Sequence, residues 1–180
     1  MFNRLTMMAL TWCICTTAVH AADYRDLDWL ELLPEQERMT LLNQGPIDHG
    51  GETSPQRQPA LGGNKSLSQL EVEAAWTSVN VVDELAEQEV RLPGFVVPLE
   101  YNDNQDVIEF FLVPFFGACI HVPAPPPNQI IHVSIPEGFE LSSIYEPYVV
   151  EGKVQISLTE RELGISAYSI VPDAVVPYER

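Results

Sequence analysis

PFFGACIHVPAPPPNQIIHV, residues Pro114–Val133, is the stretch around which the rest of the chain is arranged. An aromatic, apolar strand leads into it, a Cys-x-His pair follows, and a proline-rich bend connects to a second apolar strand. Three of its side chains are suited to metal binding or acid–base chemistry: Cys119, His121 and His132. The stretch therefore predicts two strands of a sheet with a chemically distinctive bend between them.

The spacing of these three side chains predicts a metal site. Cys119 and His121 are two residues apart, which on a strand places both side chains on one face. His132 follows the bend on the adjacent strand. A thiolate with two imidazoles suits zinc, and the thiolate also suits copper as Cu(I). The prolines between 123 and 127 lower the entropic cost of ordering the bend. We expect Asn128 and Gln129 to bond carbonyls and amides of the loop.

Other interpretations of the same residues stay open. An isolated cysteine among apolar residues is commonly a small buried hydrophobe, and His121 and His132 would then bond to backbone groups. A cysteine–histidine pair is also the core of a thiol-dependent enzyme. Enzyme function is less favoured because no nearby aspartate or asparagine is placed to orient the imidazole. A free thiol is also vulnerable to oxidation outside the cytoplasm. We assign no catalytic residue.

The composition is strongly acidic and rich in hydrophobic residues. The 180 residues include 26 acidic and 9 basic side chains, which gives a net charge of −17. Hydrophobic residues make up 46% of the chain, enough for a packed core. The negative field repels phosphate backbones, so nucleic acid is excluded as a partner. Cations, or basic patches on a protein, fit this charge better.

Residues 1–21 have the organisation of a signal peptide. Arg4 gives the positive start, an apolar stretch follows, and Val19-His20-Ala21 is a small-x-small cleavage site. The apolar stretch is too short to span a membrane. We expect an exported, periplasmic protein cleaved near Ala21 that does not itself span the membrane. Two of the three cysteines leave with the signal, so Cys119 has no partner for an internal disulfide.

Three further segments follow the signal. Residues 22–43 predict a helical arm, in which Asp26 caps a short turn and Pro34 occupies a first helical position. Residues 44–66 are rich in glycine and proline and predict a flexible linker. Residues 67–180 predict a β domain with a leading helix, which Ser68 and Glu71 would cap as an S-x-x-E box and which would end near Asn80.

The β domain is predicted to be a small five-stranded OB-like barrel, so that the fold is mainly β with a few helices. The first strand of such a barrel bends to pair with both halves, and Gly94 stands where that bend is needed. Gly152 gives the fourth strand a similar break. A bulged strand in an ordinary sandwich would give the same pattern. The predicted strands are Val90–Leu99, Val107–Phe116, Ile130–Ile135, Tyr148–Ser157 and Ile165–Tyr178.

Aromatic residues recur along these strands and at their ends. We expect them to serve as core and rim residues and not as a platform on which a ligand stacks. They are Phe95, Tyr145, Tyr148, Tyr168 and Tyr178.

The chain resembles the exported bacterial family catalogued as domain of unknown function 3299. The resemblance rests on RLPGFVVPLE, FFLVPFFGACIHVPAPPPNQIIHV, YVVEGKV and the closing AYSIV, and it spans about Trp76 to Tyr178. The amino-terminal Trp29-x-x-Leu-Leu-Pro stretch also resembles the usual opening of the family. The resemblance implies an accessory periplasmic role beside ABC-transporter components, sometimes in settings linked to zinc supply. It supplies no catalytic residues.

Two functions from different classes follow. The first is a periplasmic accessory protein that binds zinc or copper through the central stretch and works with an inner-membrane ABC-type transporter. The second is a metal-free structural or interaction module that uses the proline-rich loop as a recognition surface. The metal content of the mature protein separates them.

Overall fold

The fold is mostly β. The computed structural model describes residues 23–42, 67–118 and 124–179. The predicted signal peptide and linker lie outside the described residues. Short 3-10 helices occupy Trp29–Leu32, Asp83–Leu85 and Pro127–Gln129. The α-helices and strands are β1 (Arg25–Asp26), α1 (Glu35–Leu42), α2 (Leu67–Trp76), β2 (Glu89–Tyr101), β3 (Val107–Val113), β4 (Ile131–Phe139), β5 (Tyr148–Arg161) and β6 (Gly164–Pro177).

Five of the strands close into a barrel. Neighbouring strands follow the order β2-β3-β4-β6-β5, and β5 pairs back with β2. The β4–β6 pairing is parallel and the other pairings in the barrel are antiparallel. This five-stranded closed arrangement confirms the predicted OB-like barrel. The short strand β1 adds to the outside of β2 in parallel.

Strand β2 changes partners at Gly94, as the sequence predicted. Residues 89–94 pair with β5 and residues 95–101 pair with β3. A Cβ atom at Gly94 would lie 2.8 Å from both Leu112 Cγ and the Val113 carbonyl oxygen. The close crossing of the chains therefore requires glycine at this position. Gly152 also confirms its prediction, because β5 has a register shift there and a Cβ would lie 2.2 Å from the Val171 oxygen.

The barrel interior is filled by alternate side chains of all five strands. Phe110 and Phe139 meet edge to face at 5.5 Å between ring centroids. Of the tyrosines predicted to be core or rim residues, Tyr148 and Tyr168 are buried in the core, whereas Tyr145 and Tyr178 are exposed. The Tyr168 hydroxyl donates to the Leu32 carbonyl at 2.9 Å and accepts from the Val82 amide at 2.6 Å. Burial raises the pKa of Tyr168 to about 12.

The amino-terminal segment packs against the barrel. Leu27 and Leu32 enter the barrel core, and the Trp29 indole donates to the Pro93 carbonyl at 2.7 Å. The capping prediction for Asp26 was wrong. Asp26 lies in β1, and Asp28 caps the first 3-10 helix with a full capping box, because its carboxylate is the one that reaches the Leu30 amide.

Helix α2 also differs from its prediction at both ends. It begins at Leu67, so Ser68 lies inside the first turn and not before it. It ends at Trp76, four residues before Asn80. The Thr77 hydroxyl bonds the Glu73 and Ala74 carbonyls, and the Asn80 side chain donates to Glu37 of α1. Asn80 therefore joins two segments and does not cap a helix.

Candidate functional site: the outer face of β3 and β4

The candidate site lies on the outer face of β3 and β4, where side chains point away from the barrel interior. Phe110 and Val133 are paired and point inward, so Phe111 and its partner His132 point outward. Glu109 and its partner Ser134 share this outer face. In OB folds the corresponding face, with its flanking loops, is the usual ligand-binding surface. The barrel therefore places His132 where such proteins commonly carry a site.

Part of this face is covered by the central stretch itself. Phe111, Val113 and Val97 form a second buried cluster with Ala118 and Ile130, outside the barrel. The chain after β3 thus returns across the outer face of the strand it has just left. Ala118 is fully buried in this cluster and immediately precedes Cys119 in the sequence.

His132 is held by a carboxylate that the sequence interpretation did not identify. Its Nε2 lies 2.6 Å from Oε1 of Glu109, and both side chains are largely buried, at 13% and 14% exposure. Because an ionised carboxylate only accepts hydrogen bonds, Nε2 is the donor. The imidazole also meets the Phe111 ring edge to face at 6.2 Å. These contacts fix the orientation of the ring.

Arg161 completes the cluster. Its Nε donates to Glu109 Oε1 at 2.7 Å, and one terminal nitrogen forms an ion pair with the same oxygen at 2.7 Å. Burial raises the pKa of Glu109, but the hydrogen bonds from His132 and Arg161 outweigh it and hold that pKa below its ordinary value. Glu109 is therefore a carboxylate that stays ionised at neutral pH.

The β5–β6 hairpin must bend for Arg161 to reach Glu109. Arg161 pairs with Gly164, which lies four residues before Tyr168 on β6. Tyr168 pairs with Ile131, which lies three residues before Ser134, the partner of Glu109 on β4. At about 3.3 Å per residue this is roughly 23 Å, far beyond the reach of an arginine side chain. The hairpin therefore curls over the outer face. A register shift between Ile156 and Thr159 supplies the irregularity at which a bend of this kind begins.

The arrangement leaves one nitrogen of His132 available. The His132 Nε2 is hydrogen-bonded to Glu109, and no residue in the described part of the chain bonds Nδ1. A histidine whose second nitrogen donates to a carboxylate is the usual form of a metal-ligating imidazole, and also of a catalytic base. The backbone-bonded alternative expected for His132 was wrong, because its Nε2 faces the Glu109 carboxylate. The signal for Glu109 was visible as a lone charge in the apolar run VIEFFLV.

Cys119 and His121 lie outside the described residues, so the structure places only one of the three predicted ligands. Within residues 23–42, 67–118 and 124–179, no group of three or more His, Cys, Asp or Glu side chains is arranged to hold a metal ion.

The asparagine and glutamine of the PPPNQ motif anchor the central stretch to other segments. The Asn128 amide donates to the Glu37 carboxylate at 2.8 Å and to the Asn80 carbonyl at 2.9 Å. The Gln129 amide donates to the Trp29 carbonyl at 2.6 Å. Asn128 is fully buried. The expectation that these side chains bond groups of their own loop was thus mostly wrong, since their main partners lie in α1, in the first 3-10 helix and after α2.

The fold and this face define an OB-like barrel protein with a His–Glu–Arg cluster on its outer surface. The family model described as "Protein of unknown function (DUF3299)" matches residues 29–177. A solved structure of a DUF3299 family protein from Pseudomonas aeruginosa PAO1 is 34% identical and has a TM-score of 0.62. The similarity covers 88% of this chain and 99% of that one. No curated protein matches the sequence significantly. The chain belongs to the DUF3299 family, which confirms the resemblance.

No helix among the described residues is long and apolar enough to cross a membrane.

Proposed function

We propose that this protein is a periplasmic, non-enzymatic accessory protein that binds zinc, or copper, through His132 together with Cys119 and His121. The observation that carries the proposal is the hydrogen bond from His132 Nε2 to Glu109, which leaves Nδ1 for a metal ion. Carboxylates orient metal-ligating histidines in this way and raise their basicity. Arg161 in turn fixes the carboxylate.

The chemistry of the donor set supports a soft or borderline metal. One thiolate and two neutral imidazoles suit zinc, and the thiolate also suits Cu(I). The net charge of −17 attracts cations to the molecule as a whole. The signal sequence in residues 1–21 supports export to the periplasm. The expected partner, an inner-membrane ABC-type transporter, is suggested by the family resemblance and is part of the proposal.

Metal analysis of the mature protein tests the proposal. The wild type is purified without chelator, and its zinc and copper contents and zinc affinity are measured. Cys119→Ser and His132→Gln should abolish tight binding, and Glu109→Gln should weaken it about 10- to 100-fold. His49→Gln is the matched control, since His49 is the remaining histidine of the mature chain, and it should bind like the wild type. Absence of metal from the wild type, or equal metal in Cys119→Ser, would contradict the proposal.

The metal-free interaction module is the second candidate. The burial of Asn128 and Gln129 favours it, because their bonds to other segments anchor the proline-rich loop as a fixed surface. A wild type without metal whose Cys119→Ser variant is unaltered except in stability would support this candidate.

Glu109 also supplies the orienting carboxylate that a thiol-dependent enzyme would need. The rate of Cys119 alkylation as a function of pH distinguishes this case. A thiol pKa well below about 8.5 in metal-free protein would indicate an activated thiolate. An ordinary thiol pKa, with alkylation blocked by zinc, agrees with the metal site.

A further inference from the structure

Two phenylalanines stand exposed at the turn that follows β3. The turn runs from Phe115 to Ala118 and is closed by a hydrogen bond from the Ala118 amide to the Phe115 carbonyl. Gly117, at the third position, has φ +83°, which favours glycine there. Phe115 is 43% exposed and Phe116 is 42% exposed. The turn therefore presents two partly exposed aromatic rings to solvent, and Phe116 also meets Phe95 edge to face at 6.1 Å between ring centroids.

These two rings join a larger apolar surface. Phe116 packs against Tyr145 at 5.0 Å between ring centroids, and Tyr145 is 71% exposed. Phe115 lines a cleft of about 210 Å³ between the amino-terminal segment and the proline-rich loop. The remaining cleft residues are also mainly apolar and include Leu30, Leu33, Leu42, Trp76, Pro126 and Gln129. We call the rings of Phe115, Phe116 and Tyr145, with this cleft, the aromatic surface.

The aromatic surface has the properties of a protein-docking site. Exposed contiguous apolar area is uncommon on monomeric proteins and marks interaction surfaces, and aromatic residues dominate the energetics of such surfaces. The loop side of the cleft is also anchored beforehand, because the Gln129 side chain bonds the Trp29 carbonyl at 2.6 Å. A rigid surface loses little entropy when a partner binds.

Charge decides which partner fits. A second copy carries the same net charge of −17, so two copies repel each other. Anionic lipid headgroups and nucleic acids are repelled for the same reason. Glu146, which follows Tyr145 in the sequence, is exposed and adds negative charge beside it. We propose that the aromatic surface binds a protein segment that presents apolar side chains flanked by lysine or arginine.

This inference deepens the accessory role of the proposed function but does not depend on metal. The test uses the mature protein as bait for a phage-displayed library of random peptides, once with zinc and once with chelator. The most enriched peptide is then synthesised, and its affinity is measured against variants. A failure of metal binding would leave the enriched peptides unchanged, so the two proposals fail separately.

The enriched peptides should combine apolar residues with lysine or arginine. The double variant Phe116→Ala with Tyr145→Ala should weaken binding about tenfold or more, and binding should also weaken at high salt. Tyr101→Ala is the matched control, because Tyr101 is exposed at the far end of β2. If the double variant unfolds, Phe115→Ser provides the same test.

Enrichment of peptides without basic residues, or equal affinity for wild type and double variant, would overturn the proposal. So would self-association of the wild type that the double variant abolishes, since the surface would then bind a second copy. Binding to phosphatidylglycerol vesicles that requires Phe116 and Tyr145 would assign the surface to a membrane and would overturn it as well.

Discussion

The inside of the barrel and the layer outside it are built by different kinds of interaction. The interior is a cluster of apolar side chains contributed mainly by neighbouring strands. The outer layer, formed by residues 23–42 and the described parts of 114–130, buries Leu27, Leu32, Ala118 and Ile130 and is also held by hydrogen bonds between distant residues. Gln129 bonds Trp29 across 100 positions, and Tyr168 bonds Leu32 across 136. The barrel interior thus depends on burial, whereas the outer layer combines burial with individual hydrogen bonds between distant residues.

The interior should show the largest response to mutation. Phe110→Ala removes a fully buried ring that packs edge to face on Phe139. We expect a loss of about 3–5 kcal/mol in the free energy of unfolding, measured by urea denaturation. Phe115→Ala, which removes an exposed ring of the same size, should cost less than about 1 kcal/mol. Equal losses would show that the interior and the outer layer are not distinct.

A substitution at the junction of the barrel interior and the outer layer should lower the free energy of unfolding by less. Tyr168→Phe removes the hydroxyl that bonds both the Leu32 carbonyl and the Val82 amide. We expect a loss of about 1–3 kcal/mol, because two backbone groups lose their partner. Amide exchange should quicken at Val82. Tyr101→Phe, in which an exposed hydroxyl is lost, should change the free energy of unfolding by less than about 0.5 kcal/mol.

The same substitution has a pH signature. In the folded protein the pKa of Tyr168 is raised to about 12, against 10.0 for an ordinary tyrosine. The stability that depends on the neutral hydroxyl is therefore complete below about pH 10 and is lost as pH rises towards 12. The wild type and Tyr168→Phe should converge in stability over that window. A constant difference up to pH 12 would contradict the raised pKa.

The sequence predicted the barrel because its signals are local. Apolar runs separated by turn residues mark five strands, and Gly94 marks the switch of β2 from β5 to β3. Strand ends were less predictable. Strand β3 ends at Val113 and not at the predicted Phe116, because the turn that contains Gly117 takes the chain out of the ladder.

The outer layer could not be predicted in the same way. Its bonds join residues that are far apart in sequence, as do those of the His132 cluster on the outer face of the barrel. No spacing rule relates Asn128 to Glu37 or Glu109 to Arg161. His132 was identified from its residue type, whereas its orientation depends on a carboxylate of β3 and on a bend in the β5–β6 hairpin. That bend follows from a register shift, which appears only when the strands are paired.

The smallest expected effect concerns Glu109. Substituting Glu109→Gln replaces an ionised acceptor with a neutral amide, which weakens the bonds to His132 and Arg161. The cost at pH 7 should stay below about 1 kcal/mol, because Arg161 is 43% exposed and solvent screens the pair. Glu137→Gln, an exposed change on β4, is the matched control and should alter stability less.

Acid pH should remove this difference. The pKa of Glu109 is lowered in the folded protein, so the stability from its ionised form is complete above about pH 4.5, the value for an ordinary glutamate. It is lost as pH falls through the lowered pKa, because the carboxylate must then take up a proton to become neutral like the amide of Glu109→Gln. Wild type and Glu109→Gln should therefore differ in the free energy of unfolding at pH 7 and become alike below that pKa. A subtraction of the two curves isolates Glu109 from the other acidic residues, which titrate equally in both proteins. A difference that is unchanged by acid would show that Glu109 acts through packing and not through charge, and the oriented imidazole would then lose its electrostatic basis.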